Sequence, residues 1–164
     1  MMRETQTIDI ARPVDEVFRF LIEPQNRLKY DTDLIAIHHS PAGPLRLGSQ
    51  IVETRRFLGR EGRSVTEVSE LEPNRAIGYR SPKGDAVDAH GVYKFASIPD
   101  GTQLSLEFTL SPRGVVRLAM PLITRRLKRD IAVGLRNIKA IVESEHGLPV
   151  QTPDLHALLA HDDR

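Results

Sequence analysis

The chain has 164 residues, a formal net charge of +1, 40% hydrophobic and 27% charged residues, and neither Cys nor Trp. This is the ordinary balance of one water-soluble domain with core enough to fold alone. It excludes disulfides, thiolate chemistry and Cys-based metal sites, and the near-zero charge with only 5% aromatic residues gives no reason to expect nucleic acid.

The stretch Met1 to Ile10 is polar and alternating, unlike a signal peptide. No apolar run approaches the ~20 residues that span a bilayer, so a cytoplasmic protein without a transmembrane segment is expected. Thr5, Thr7 and Asp9 alternate with Gln6, Ile8 and Ile10, the pattern of a strand with one apolar face. Pro13 suits the first turn of a helix, and Val14, Val17, Phe18 and Leu21 follow at helical spacing until Glu23-Pro24 stops them. Gln25 to Tyr30 reads as a second short helix, too short and too weakly basic for a DNA-reading pair.

From Leu34 the period changes to two. Strands are expected at Leu34–Ser40, Gly48–Leu58, Glu61–Leu71, Ala76–Ser81, Ala86–Ile98 and Thr102–Leu110, separated by Gly, Pro, Asn and Asp turns. Strands joined in sequence by tight turns pair as an antiparallel meander. Leu104, Leu106, Phe108 and Leu110 share one face of the last strand, so one side of the sheet is dry.

Val115 to Glu145 reads as one long helix, ~45 Å at ~1.5 Å per residue. Leu127, Ile131, Leu135, Ile138 and Val142 make its apolar side, and Arg125, Arg126, Lys128, Arg129, Arg136 and Lys139 belong in water. Pro121 should kink this helix or split it. Residues 147–164 read as a tail, either a short docked helix carrying Leu155, Leu158 and Leu159 or a frayed end, leaving 1–146 as the domain proper.

This order describes an α+β fold, with a curved antiparallel sheet of about seven strands wrapped around the C-terminal helix. A straight rod cannot fill a curved trough, so an apolar cavity is expected where the two part.

The stretch Ile10-Ala11-Arg12-Pro13-Val14-Asp15-Glu16-Val17-Phe18-Arg19-Phe20-Leu21, followed by Glu23-Pro24-Gln25-Asn26, resembles the START-like, or SRPBCC, helix-grip superfamily. The likeness is greatest to its polyketide cyclase/dehydratase branch. Gly48-Ser49, Glu67 to Arg75, Tyr93-Lys94-Phe95 and Gly101-Thr102 fit as well. The resemblance implies the helix-grip fold and a hydrophobic cavity between sheet and long helix, and it places Tyr30 near that cavity. It carries over no catalytic motif, because fold does not fix function.

The residues themselves nominate the cavity walls. If Ile35 and Ile37 face inward, His39 does too and could serve as a general base, or equally as a hydrogen-bonded wall residue. Ile51, Glu53, Arg55 and Phe57 share one face of their strand. Either that face or the Val52, Thr54, Leu58 face is the inner one, and inward charges would have to pair or meet a polar ligand. Tyr30, Tyr79 and Tyr93 could each donate a phenol to a ligand, or simply be core. Phe95, Leu106, Phe108, Leu122, Leu127, Ile131 and Leu135 complete the apolar lining. Asp88 and His90 share a strand face but read as surface, so no metal and no cofactor are expected.

The favoured function is a carrier or sensor of a small hydrophobic molecule of lipid, polyketide or aromatic type, acting as a monomer or weak homodimer. One alternative is a cyclase or dehydratase-like enzyme with His39 or Tyr93 as acid or base. The other is an interaction module using the basic helix and the tail.

Overall fold

The fold is that of a computed structural model, which describes residues 1–57, 59–85, 87–114 and 116–144, without the side chains of Phe57 and Val116. The expected tail helix lies outside the described residues. Strand β1 (Met2–Ile10) leads to helix α1 (Val14–Ile22), a single 3₁₀ turn (Pro24–Asn26) and helix α2 (Arg27–Tyr30). Strands β2 (Leu34–Ser40), β3 (Gln50–Phe57), β4 (Arg60–Glu72), β5 (Ala76–Arg80), β6 (Val87–Ile98) and β7 (Gly101–Pro112) follow, then helix α3 (Val116–Ser144). The seven strands form one antiparallel sheet in the order β1-β7-β6-β5-β4-β3-β2. The meander runs from β2 to β7, and β1 closes the far edge against β7.

Local chemistry explains the joints. Pro13 precedes α1 and its carbonyl accepts from the N–H groups of Glu16 and Val17, while Asp15 and Glu16 sit in the positive first turn. Gly101 opens β7 with φ +148°, and a Cβ there would stand 2.1 Å from the Ile10 carbonyl oxygen, so only glycine fits. Beside it the fully buried Thr102 donates its hydroxyl to the Arg12 carbonyl at 2.8 Å. The β6–β7 hairpin is thereby fastened to the start of α1.

Helix α3 runs unbroken through Pro121, which does not split it. Its C-terminal turns are packed solid, with Leu135, Ile138 and Val142 at most 6% exposed against Ile10, Val17, Leu21 and Leu104. Phe18 meets Phe95 edge to face at 5.3 Å in the same closed region. Toward its middle the helix stands off the sheet, and Leu127 and Ile131 are only half-buried.

The cations on α3 are not all in water. Arg126 is half-buried and bonds to Asp33 at 2.8 Å, Lys128 pairs with Glu4 at 2.7 Å, and Lys139 pairs with Glu143 at 2.7 Å. The first two pairs fasten the helix to the loop before β2 and to β1; the third lies within α3, where Lys139 also donates to the Asp9 carbonyl of β1 at 2.6 Å.

Candidate functional site

Between α3 and the concave face of the sheet lies a cavity of about 560 Å³. Small residues leave room in its walls. Ala89 and Gly91 on β6 and Gly134 on α3 all line the void. Its apolar side comes from Leu106 and Phe108 of β7 and from Leu127, Ile131, Val133 and Leu135 of α3. Its polar side comes from α2 with the loop after it and from β3, β4 and β5.

Arg27 is at the centre of the polar side, on the one-turn helix α2. Three residues on, Tyr30 shares its helical face, which brings both into the cavity. The guanidinium lies 4.7 Å from the centroid of the Tyr79 ring and forms an ion pair with Glu53 of β3. Glu53 accepts a second bond from Arg55 Nε at 2.8 Å, and Arg55 Nη1 continues to Asp31 Oδ2 at 2.6 Å. The four charges alternate in sign and sum to zero. With the side chain of Glu53 5% and that of Arg27 12% exposed, each charge is costly to bury unless opposite charge stands beside it.

This arrangement sets the protonation states. Burial pushes the Glu53 carboxyl up, but Arg27 and Arg55 together hold it below the usual carboxylate range. Burial opposes the charge on Arg27, and its surroundings, Tyr30 and Glu53 first, reverse that and keep it protonated. Burial and then Tyr93 push Tyr30 up against the pull of Arg27, and burial pushes Tyr93 up against the pull of Arg27 and of its hydrogen bond with Tyr30, with Tyr79 adding to the rise. Burial pushes Tyr79 up to about 12. The cavity therefore presents neutral phenols beside Arg27, Glu53 and Arg55, which all stay charged. Thr66 also lines the cavity, and its Oγ1 is buried without a hydrogen-bond partner.

Tyr79 makes stability depend on pH at the alkaline end. A phenol raised in the fold contributes stability that is complete below its unfolded value of about 10 and is lost as pH rises through its folded value of about 12. Urea unfolding should therefore show stability falling more steeply above pH ~10 in the natural protein than in Tyr79→Phe.

Of the residues nominated from sequence, Tyr30, Glu53, Arg55, Tyr79 and Tyr93 line the cavity. So do Leu106, Phe108, Leu127, Ile131 and Leu135. The open choice on β3 resolves to the Ile51, Glu53, Arg55 face. Ile37, Ile51 and Phe95 are buried, but in the closed core rather than the cavity wall. The side chain of Phe57 lies outside the described ones.

Three expectations need correction. Ile35 is 41% exposed, because a bulge between Leu34 and Ala36 lets Leu34 and Ile37 both point inward and turns the intervening residue out. His39 is half-buried and its Nε2 lies 2.8 Å from the Gly43 carbonyl oxygen, where it holds the β2–β3 loop outside the cavity. Leu122 is 75% exposed, because it sits five residues before Leu127, which at about 100° per residue turns it roughly 140° from the lining. As read from sequence, Asp88 and His90 are exposed.

Sequence reasoning missed Arg27, Asp31, Asp33 and Thr66. The signal for Arg27 was its spacing of three from Tyr30 on a predicted helix. It also missed Arg126, Arg129 and Asp130 at the cavity rim, where Arg126 bridges Asp33 and Asp130.

The sequence matches, over residues 1–143, the family described as "Polyketide cyclase / dehydrase and lipid transport". The chain belongs to this family. No curated protein matches the chain. Among solved structures, the Zhui aromatase/cyclase of a Streptomyces species superposes with a TM-score of 0.75 at 16% identity, over 87% of this chain and 93% of that one. The di-domain ARO/CYC StfQ of the steffimycin biosynthetic pathway gives 0.73 at 16% identity over 89% of this chain. This chain spans about half of StfQ, 52% of its length. A protein of Thermus thermophilus gives 0.72 at 16% identity, over 86% of this chain and 97% of that one. At these identities the likeness shows the helix-grip fold. No helix among the described residues is long and apolar enough to cross a membrane.

Proposed function

We propose that the protein binds a small molecule with an apolar body and at least one polar oxygen, and acts as its carrier or sensor. The observation that carries this reading is the two-sided cavity of about 560 Å³. Its α3–β7 side offers apolar burial, worth roughly 25 cal/mol per Å² before ordering costs. Its other side offers neutral phenols, the Thr66 hydroxyl and a protonated Arg27, all donors. An oxygen acceptor entering there would meet them without displacing a carboxylate from its arginine. The ligand called for is a ketone, phenol or alcohol on an apolar frame, and a lipid or polyketide supplies one.

A thermal-shift series with fatty acids, sterols and polyaromatic phenols tests this. Ligands bearing an oxygen should raise the melting temperature more than the matching hydrocarbons, and a flat response to all of them would contradict the reading. Tyr79→Phe should weaken an oxygen-bearing ligand by about 1 kcal/mol, roughly fivefold, and leave a hydrocarbon unchanged. Isothermal titration separates the two.

The aromatase/cyclase neighbours support a second reading, in which the same donors polarise a ligand carbonyl and the cavity folds a reactive chain for ring closure. Tyr93 is then the proton donor. Tyr93→Phe should lower kcat with KM nearly unchanged, whereas a carrier shows no turnover to lose.

A further inference from the structure

The first half of α3 carries a surface that the cavity does not explain. Leu118 is 87% and Leu122 75% exposed, four residues apart on one helical face. Arg117, Pro121, Arg125 and Arg129 lie on the same side, within roughly 140° of arc at about 100° per residue, and all are exposed. The stretch 108–129 contains six Lys and Arg and no Asp or Glu, although Arg126, Lys128 and Arg129 pair with Asp33, Glu4 and Asp130 outside it. A water-facing helix surface ordinarily mixes both signs and hides its leucines.

We propose that this face is an interfacial docking surface for anionic phospholipid, with Leu118 and Leu122 entering the headgroup layer and Arg117 and Arg125 meeting phosphate. Apolar side chains flanked by arginine on one helical side are what such an interface binds. A second copy of the chain fits poorly, since a symmetric contact would set Arg117 and Arg125 against their like. The same helix supplies the cavity rim two turns on, through Arg126 and Arg129. A docked protein would thus hold its cavity mouth near the lipid. The proposal goes beyond the ligand-binding reading and stands or falls without it.

Sedimentation of the full chain with vesicles of phosphatidylcholine, alone or mixed with phosphatidylserine, tests it. Binding should require phosphatidylserine and weaken on raising the salt. Arg117→Glu with Arg125→Glu should weaken it at least about 25-fold, from roughly fivefold per arginine removed. Leu118→Ser with Leu122→Ser should weaken it about tenfold or more, with the circular dichroism spectrum unchanged because both side chains are exposed. Absence of phosphatidylserine-dependent binding would overturn the proposal. So would binding indifferent to both variants, or ultracentrifugation showing a dimer that the leucine variant dissociates.

Discussion

Replacing Arg27 by Met lowers the unfolding free energy by about 3 kcal/mol, and the melting temperature by about 6–12 °C, because it leaves Glu53 buried with one cation fewer. The lower end of the range for a broken buried pair applies, since Arg55 still bonds Glu53 Oε2 at 2.7 Å. Adding Glu53→Gln to Arg27→Met should recover most of the loss. It removes the stranded charge, and Arg55 keeps Asp31. Urea titration of the four proteins measures the coupling. The acid limb gives a second reading of the same pair. Glu53 is held low in the fold, so its contribution is complete above the unfolded carboxylate value of about 4.3 and is lost as pH falls through the folded one. With Glu53→Gln that contribution to the acid loss should vanish.

Replacing Gly134 by Phe blocks the cavity and leaves the fold standing. A Cβ at Gly134 meets nothing within 4 Å, and the position faces the void from the middle of α3. Exchanging a mid-helix glycine for a side-chain-bearing residue adds up to about 0.5 kcal/mol of helix propensity, and the ring enters a space that Ile131 and Phe108 also line. The variant should melt at or above the temperature of the natural protein. Affinity for any cavity ligand should fall at least about tenfold. Gly134→Ala is the control, since one methyl group stabilises the helix without filling the space. Gly91 would make a worse choice, because a Cβ there would stand 3.2 Å from the Phe108 ring.

Much of this molecule is written in local pattern. The change from helical spacing to alternation at Leu34, the turn residues between strands and the apolar stripe of the last helix all name their elements directly. The observed strands differ from those expected by a residue or two at most ends. Alternation also says which residues share a face, as with Ala89, Gly91 and Tyr93. It does not say which face is inner when both are mixed. On β3, Ile51 stands with Glu53 and Arg55 while Val52 stands with Thr54, and only pairing with β2, which sets Glu53 opposite Ile37, decides between them.

One irregular residue undoes the count elsewhere. The bulge at Ile35 cannot be read from composition, because Leu34, Ile35 and Ile37 are all apolar and any two could have been inside. The helix errs for a similar reason. Leu122 looks like a member of the stripe until the five-residue step to Leu127 is converted into an angle. Arg27 is the deeper case. A charged residue on a short helix reads as surface unless its partner is known, and that partner lies 26 residues away in another element. Long-range ion pairs leave no periodic trace.

The central claim is that the space between α3 and the sheet receives a guest. Native mass spectrometry tests it most directly, on the natural protein and on Gly134→Phe, each mixed with fatty acids, sterols and polyaromatic phenols. The prediction is a one-to-one adduct on the natural protein and bare chain for the variant. Bare chain in both, or the same adduct in both, would contradict it.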